Sequence, residues 1–123
     1  MSKNEKIVII VTAGPENQEK VTLPFVMATA AQSMDVDVTV ILQAAAVLLA
    51  KKGGCGENVH APGLMPLKKL METFMELGGK LLLCTPCIKE REIKQEELIE
   101  GSQLIAAGSV ISEVLEAKSV LTY

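Results

Sequence analysis

An α/β protein built on a mainly parallel sheet of about five strands is what this sequence predicts, on three observations. Short apolar runs alternate with helix-forming stretches from end to end, the pattern left by strand–crossover–strand units. The first of these runs, Ile7-Val-Ile-Ile-Val11, has no polar alternation, as expected of a central strand covered by helices on both faces. Hydrophobic residues make up 49% of the 123, enough for a continuous core in a single domain spanning 1–123.

The first strand, 6–12, ends in the turn cluster Ala13-Gly-Pro-Glu-Asn17. Asn17 is placed to cap a helix carrying Leu23, Met27, Ala30, Ala31 and Met34 at helical spacing. Pro24 falls inside that pattern and predicts a late start or a kink. A second strand follows over 36–42, then a short Ala- and Leu-rich helix over 43–52 closed by Gly53-Gly54. The loop 53–63 holds Cys55, Glu57 and His60. Pro66 opens a helix with Leu67, Leu70, Met71 and Phe74 on one face, ended by Gly78-Gly79. A third strand, 80–84, stops at a cysteine. A polar helical stretch over 95–100, a strand over 103–106, a helix over 108–118 and a short last strand over 120–123 complete the chain. With Phe25, Phe74 and Tyr123 its only aromatics, the core relies on aliphatic residues. Met27, Met34, Met65, Met71 and Met75 either fill gaps in it or belong to a subunit surface.

Composition excludes several classes of function. The net charge is −3 and the basic residues cluster no further than Lys51-Lys52 and Lys68-Lys69. Phosphate binding needs a concentrated basic face and single strands need aromatic platforms, so no nucleic-acid partner is expected. No apolar stretch is long enough to span a bilayer and the first residues carry no signal-peptide pattern, which makes the cytoplasm the expected setting. In that reducing compartment three cysteines read as free or reactive thiols rather than a disulfide framework.

The most informative segment is Cys84-Thr-Pro-Cys87-Ile-Lys-Glu-Arg91. It puts a thiol at the carboxyl end of a strand, the edge of an α/β sheet where ligands and chemistry collect. Thr85 or Cys84 caps the helix that follows, with Pro86 at its first position, and the helix end is expected to favour thiolate over thiol. Cys84 is therefore a candidate nucleophile; as a small buried hydrophobe it would merely finish the strand. Cys87 forms a Cys-x-x-Cys pair with it and either resolves an oxidised or persulfidated Cys84 or packs inward beside Ile88. A thioredoxin assignment is weak, because the pair follows the third strand and no aromatic residue precedes it. Arg91 either stabilises a thiolate or is a solvated charge among Lys89, Glu90 and Glu92. Cys55 and the single histidine, His60, are loop residues of reactive types, and Gly14 stands at the sheet edge where a ligand would lie. A zinc site would need Cys55 and His60 folded onto the cysteine pair at a spacing irregular for a metal module, so no metal is expected. No phosphate-binding glycine pattern is present, and no cofactor is expected.

This arrangement resembles the DsrE/DsrF-like family of small sulfur-relay proteins over nearly the whole chain. The match is clearest at Cys84-Thr-Pro-Cys87-Ile-Lys-Glu-Arg91, similar to the family's cysteine turn with an arginine seven residues on. The family often has glycine after that arginine, where Glu92 stands here. The resemblance implies a three-layer α/β/α sandwich that assembles as a homotrimer or a dimer of trimers. It further implies that Cys84 accepts sulfur as a persulfide from a donor and hands it to a partner's cysteine; Thr85 and Pro86, beside it in the turn, are candidate substrate-binding residues. The competing expectation is a non-catalytic oligomer of the same fold, with the 53–63 loop and the cysteine turn forming a small-ligand pocket. A thiol-redox role through Cys84 and Cys87 comes third.

Overall fold

The structure, a computed structural model, describes residues 4–123, the Cys55 side chain excepted. Five strands, β1 (Lys6–Val11), β2 (Asp37–Leu42), β3 (Lys80–Cys84), β4 (Ser102–Ile105) and β5 (Ser119–Thr122), form one sheet in the order β4-β3-β2-β1-β5. Every pairing is parallel. The helices α1 (Gln18–Ser33) and α2 (Leu67–Glu76) cover one face, and α4 (Ala107–Glu116) covers the other. The short α3 (Thr85–Glu90) follows β3 directly. The expected three-layer α/β/α sandwich is thus the observed architecture, with its sheet parallel throughout.

Side-chain alternation along the strands explains the layers. Ile9, Val11, Val40, Leu42, Leu81 and Leu83 point toward α1 and α2, where they meet Val21, Phe25, Leu70 and Phe74. Val8, Ile41 and Leu82 point the other way, toward Val110 and Val114 of α4. The two layers are unequal: every core residue named on the first face is buried, whereas α4 has no buried residue. Of the methionines, Met71 is core, while Met34 (74% exposed), Met65 (51%) and Met27 (44%) lie at the surface.

Helix signals in the sequence act largely as expected. Asn17 caps α1, its Oδ1 accepting from the Lys20 amide at 3.3 Å. The helix starts on time at Gln18 and continues through Pro24, which corrects the expected late start. Pro24 removes one main-chain bond, and it is itself buried against the core. Gly78 takes φ +88° at the end of α2, the left-handed turn that favours glycine.

Two segments depart from expectation. Residues Ala44–Ala50 form a 3-10 helix. Its rise of about 2.0 Å per residue, against about 1.5 Å in an α-helix, carries the chain further in seven residues. It delivers Lys51 to an antiparallel bridge with Leu98. That bridge and the Lys52 N–Glu97 O and Ile99 N–Ala50 O bonds hold Leu98 extended, so the helical stretch expected over 95–100 shrinks to one turn, Gln95–Glu97.

Opposite the thiols, at the amino ends of the strands, Glu113 of α4 reaches across three of them. Its carboxylate accepts from Lys6 Nζ of β1 at 2.6 Å, Thr39 Oγ1 of β2 at 3.2 Å and Lys80 Nζ of β3 at 3.0 Å. Among the described residues, no helix is long and apolar enough to cross a membrane.

Candidate functional site

The chain leaves β3 at Cys84, whose extended backbone (φ −62°, ψ 115°) makes it the residue that precedes α3. Strand register sets it beside Ile105, the last residue of β4. Thr85 opens α3, and its hydroxyl donates to the Ile105 carbonyl at 2.8 Å, tying the turn to the neighbouring strand. Neither Thr85 nor Cys84 supplies a side-chain cap, and Pro86 is the second helical residue rather than the first.

One helical turn brings Cys87 back over Cys84. The two sulfurs stand 2.7 Å apart, Cys87 donating, and both cysteines are half-buried. That approach is too long for a disulfide bond of about 2.05 Å but leaves little to close. Cys87 Sγ also accepts the Ala44 amide at 3.2 Å. Ala44 begins the 3-10 helix after β2 and has φ +54°. A non-glycine residue there carries a strain of about 1 kcal/mol or more, and such strain concentrates where a backbone group is being aimed. Nothing in the residue type announces this role, since alanine has no preference for the left-handed region.

Arg91 closes α3, and its Nη1 donates to the Cys87 carbonyl at 3.2 Å, which ties the guanidinium to the turn through the main chain. Glu92, where the resemblance leads one to expect glycine, adopts φ +53°. The left-handed corner is therefore kept at a cost of about 1 kcal/mol.

The electrostatics correct the expectation of a readily formed thiolate at Cys84. Burial pushes its thiol up from the ordinary value, and the side-chain hydrogen bond with Cys87 adds to this. The Cys87 main-chain amide and the Arg91 charge pull down without offsetting the rise. A helix of six residues supplies little dipole to change that balance. It follows that Arg91→Gln raises the pH at which Cys84 becomes alkylated by iodoacetamide. An unchanged profile would show the guanidinium to be electrically irrelevant to the thiol.

The other residues singled out in the sequence do not converge on this pair. Gly14 is buried at the end of β1, and a Cβ there would lie 2.9 Å from that of Ala45, so it permits close packing against the 3-10 helix. His60 is exposed, its amide donating to Gln18 Oε1 at 3.3 Å. The Cys55 side chain lies outside the described residues. Gly56 and Glu57 of the same loop line a groove of about 360 Å³ with Leu49, Met71, Met75 and Ile99, and neither Cys84 nor Cys87 borders it. The loop and the cysteine turn are thus not brought into one pocket there. Among the described residues, no three or more His, Cys, Asp or Glu side chains stand together as metal ligands would.

Compared with known proteins, residues 5–123 match the DsrE/DsrF-like family. An uncharacterised protein of Methanocaldococcus jannaschii is 30% identical over 96% of this chain and 99% of its own length. One from Methanopyrus kandleri is 27% identical over 95% of this chain and 93% of its own. Among solved structures, the ychN protein from E. coli superposes with a TM-score of 0.79 at 24% identity, covering 97% of this chain and 99% of that one. A protein of unknown function from Methanobacterium thermoautotrophicum gives 0.69 at 11% identity, over 98% and 100%. These structural likenesses concern the fold.

Proposed function

This chain belongs to the DsrE/DsrF-like family, and from that premise we propose that it is a sulfur carrier, Cys84 accepting sulfane sulfur as a persulfide and passing it to a partner thiol. The observation that carries the reading is the half-exposed Cys84 at the carboxyl end of β3, with a second thiol 2.7 Å from its sulfur. In the first step Cys84 thiolate attacks the terminal sulfur of a polysulfide or a donor protein's persulfide. A sulfur–sulfur bond forms at Cys84, the donor's breaks, and the shortened donor leaves with the electron pair. In the second, an acceptor protein's thiolate attacks the outer sulfur and Cys84 departs as thiolate. Arg91 assists by the field of its charge, and the raised thiol value makes uptake faster at higher pH.

The site as proposed comprises Cys84, Cys87 and Arg91, with Thr85 and Pro86 shaping the turn. Residues 1–123 are read as a single domain, supported by the family match over 5–123. The trimer or dimer of trimers implied by the family draws support from Ile111 (58% exposed) and Leu115 (80% exposed) on α4. A cytoplasmic setting suits the free thiols of Cys84 and Cys87.

Intact-protein mass spectrometry after incubation with polysulfide tests the proposal. Wild type is expected to gain sulfur mass that dithiothreitol removes, and Cys84→Ser to gain none. Equal uptake by both proteins would reject Cys84 as the acceptor. No uptake by wild type, with Cys84 inert to alkylation, would favour the non-catalytic binding reading instead.

A further inference from the structure

Resting on the reading of Cys84 as a sulfur acceptor, we infer that Cys87 discharges the Cys84 persulfide within the chain, releasing hydrosulfide and leaving a Cys84–Cys87 disulfide. The pair would then have a second activity beside relay: in the presence of a dithiol and the absence of an acceptor protein, it reduces sulfane sulfur.

Three observations point this way. The sulfurs already approach to 2.7 Å, so an attack by Cys87 on Cys84 Sγ needs almost no rearrangement. Cys84 precedes the helix rather than lying in it, with extended backbone angles, while Cys87 is held inside α3. The thiol that would carry the sulfur thus ends a strand, and the thiol that would attack it lies one turn into the helix that follows. Finally, the Ala44 amide, 3.2 Å from Cys87 Sγ, fixes that sulfur in place from a neighbouring strand end. A main-chain N–H aimed at a sulfur steadies negative charge on it, as a nucleophile requires. Ala44 holds this position at φ +54°, which gives the strained backbone a chemical purpose.

The step balances as follows. Cys87 thiolate forms a bond to Cys84 Sγ, and the bond from Cys84 Sγ to the outer sulfur breaks. The outer sulfur leaves with the bonding electron pair and takes up the proton lost by Cys87, as hydrosulfide. The two cysteines are together oxidised by two electrons and the sulfane sulfur is reduced by two. A dithiol, small or protein-borne, then reduces the disulfide by exchange and is itself oxidised.

The test loads reduced protein with polysulfide, removes the excess by desalting, and follows intact mass and free hydrosulfide with time. Wild type is expected to lose the added sulfur and to lack two hydrogens until dithiothreitol restores them. Hydrosulfide should appear in equal amount to the sulfur loaded. In Cys87→Ser and Cys87→Ala the adduct should last about tenfold longer or more, because the neighbouring nucleophile is gone. The hydrosulfide and the disulfide are read on wild type itself, so the result does not hang on the folding of a variant. A wild-type adduct as durable as that of the variants, with no disulfide, would overturn the inference and leave Cys84 a sulfur acceptor. A wild type that never takes up sulfur would overturn both.

Discussion

Replacing Phe74 with alanine should lower the free energy of unfolding by about 3–5 kcal/mol, a large share of what a domain of this size has. Phe74 is fully buried between α1 and the sheet, and its ring meets that of Phe25 edge-on, with centroids 5.6 Å apart at 76°. These are the chain's only phenylalanines, so the substitution also removes the one partner of the Phe25 ring. The same side chain limits what residue 79 can be. A Cβ on Gly79 would lie 2.2 Å from Cε1 of the Phe74 ring, making Gly79→Ala an overpacking change costing about 1–3 kcal/mol. The two substitutions should not add. Once the ring is gone, alanine at 79 has room, and the double variant should be more stable than the sum of the single losses implies. Urea unfolding of the four proteins, at unchanged m-value, measures this; strict additivity would mean that Gly79 is required for its backbone and not for the ring.

The second large effect lies at the opposite end of the sheet. Glu113→Ala should cost about 1.5–3 kcal/mol, the range for hydrogen bonds to a charged group. It removes the carboxylate shared by Lys6, Thr39 and Lys80. The Glu113 side chain is only 15% exposed, and Lys6 only 19%, so water replaces the lost partners poorly. Burial alone would raise the Glu113 carboxyl, but the hydrogen bonds and charges of Lys6 and Lys80 outweigh it and hold the group below the ordinary carboxylate range. A folded value below the unfolded one means that the contribution is fully present above about pH 4.3, the ordinary glutamate value. It is lost as pH falls through the lower folded value. The stability difference between wild type and Glu113→Gln should therefore shrink across that acidic window. A difference that stayed constant with pH would show that charge at Glu113 contributes nothing.

How legible these features were depends on their range in sequence. All five strands lie within a residue or two of where apolar runs and glycine or proline punctuation place them: the central β1, β2 and β3 need long apolar stretches, while the more exposed β4 and β5 rest on the short pairs Leu104-Ile105 and Val120-Leu121. The cysteine turn was legible for a local reason: Cys84, Cys87 and Arg91 lie within eight residues, before, within and at the end of one short helix. Ala44 and Glu113 were not. The Ala44 amide meets Cys87 43 residues away, and Glu113 meets Lys6 across 107. Neither residue type distinguishes a structural role from a solvated or filler one. The upward push on the Cys84 thiol was not legible, because burial is a property of the packed chain and not of the local sequence.

The strand order carries a consequence for how the chain reaches this structure. β1 lies second from one edge of the sheet, and the strand that seals its outer side is β5, with Ile7 beside Ser119 and Ile10 beside Thr122. Pairs more than a hundred residues apart raise the contact order and slow the search for the native arrangement. During synthesis, the run Ile7-Val-Ile-Ile-Val11 emerges first and waits longest for its second neighbour. Until β5 arrives, that strand is an open apolar edge, the kind of template on which chains associate wrongly. Refolding yield should therefore fall with protein concentration before native stability sets any limit.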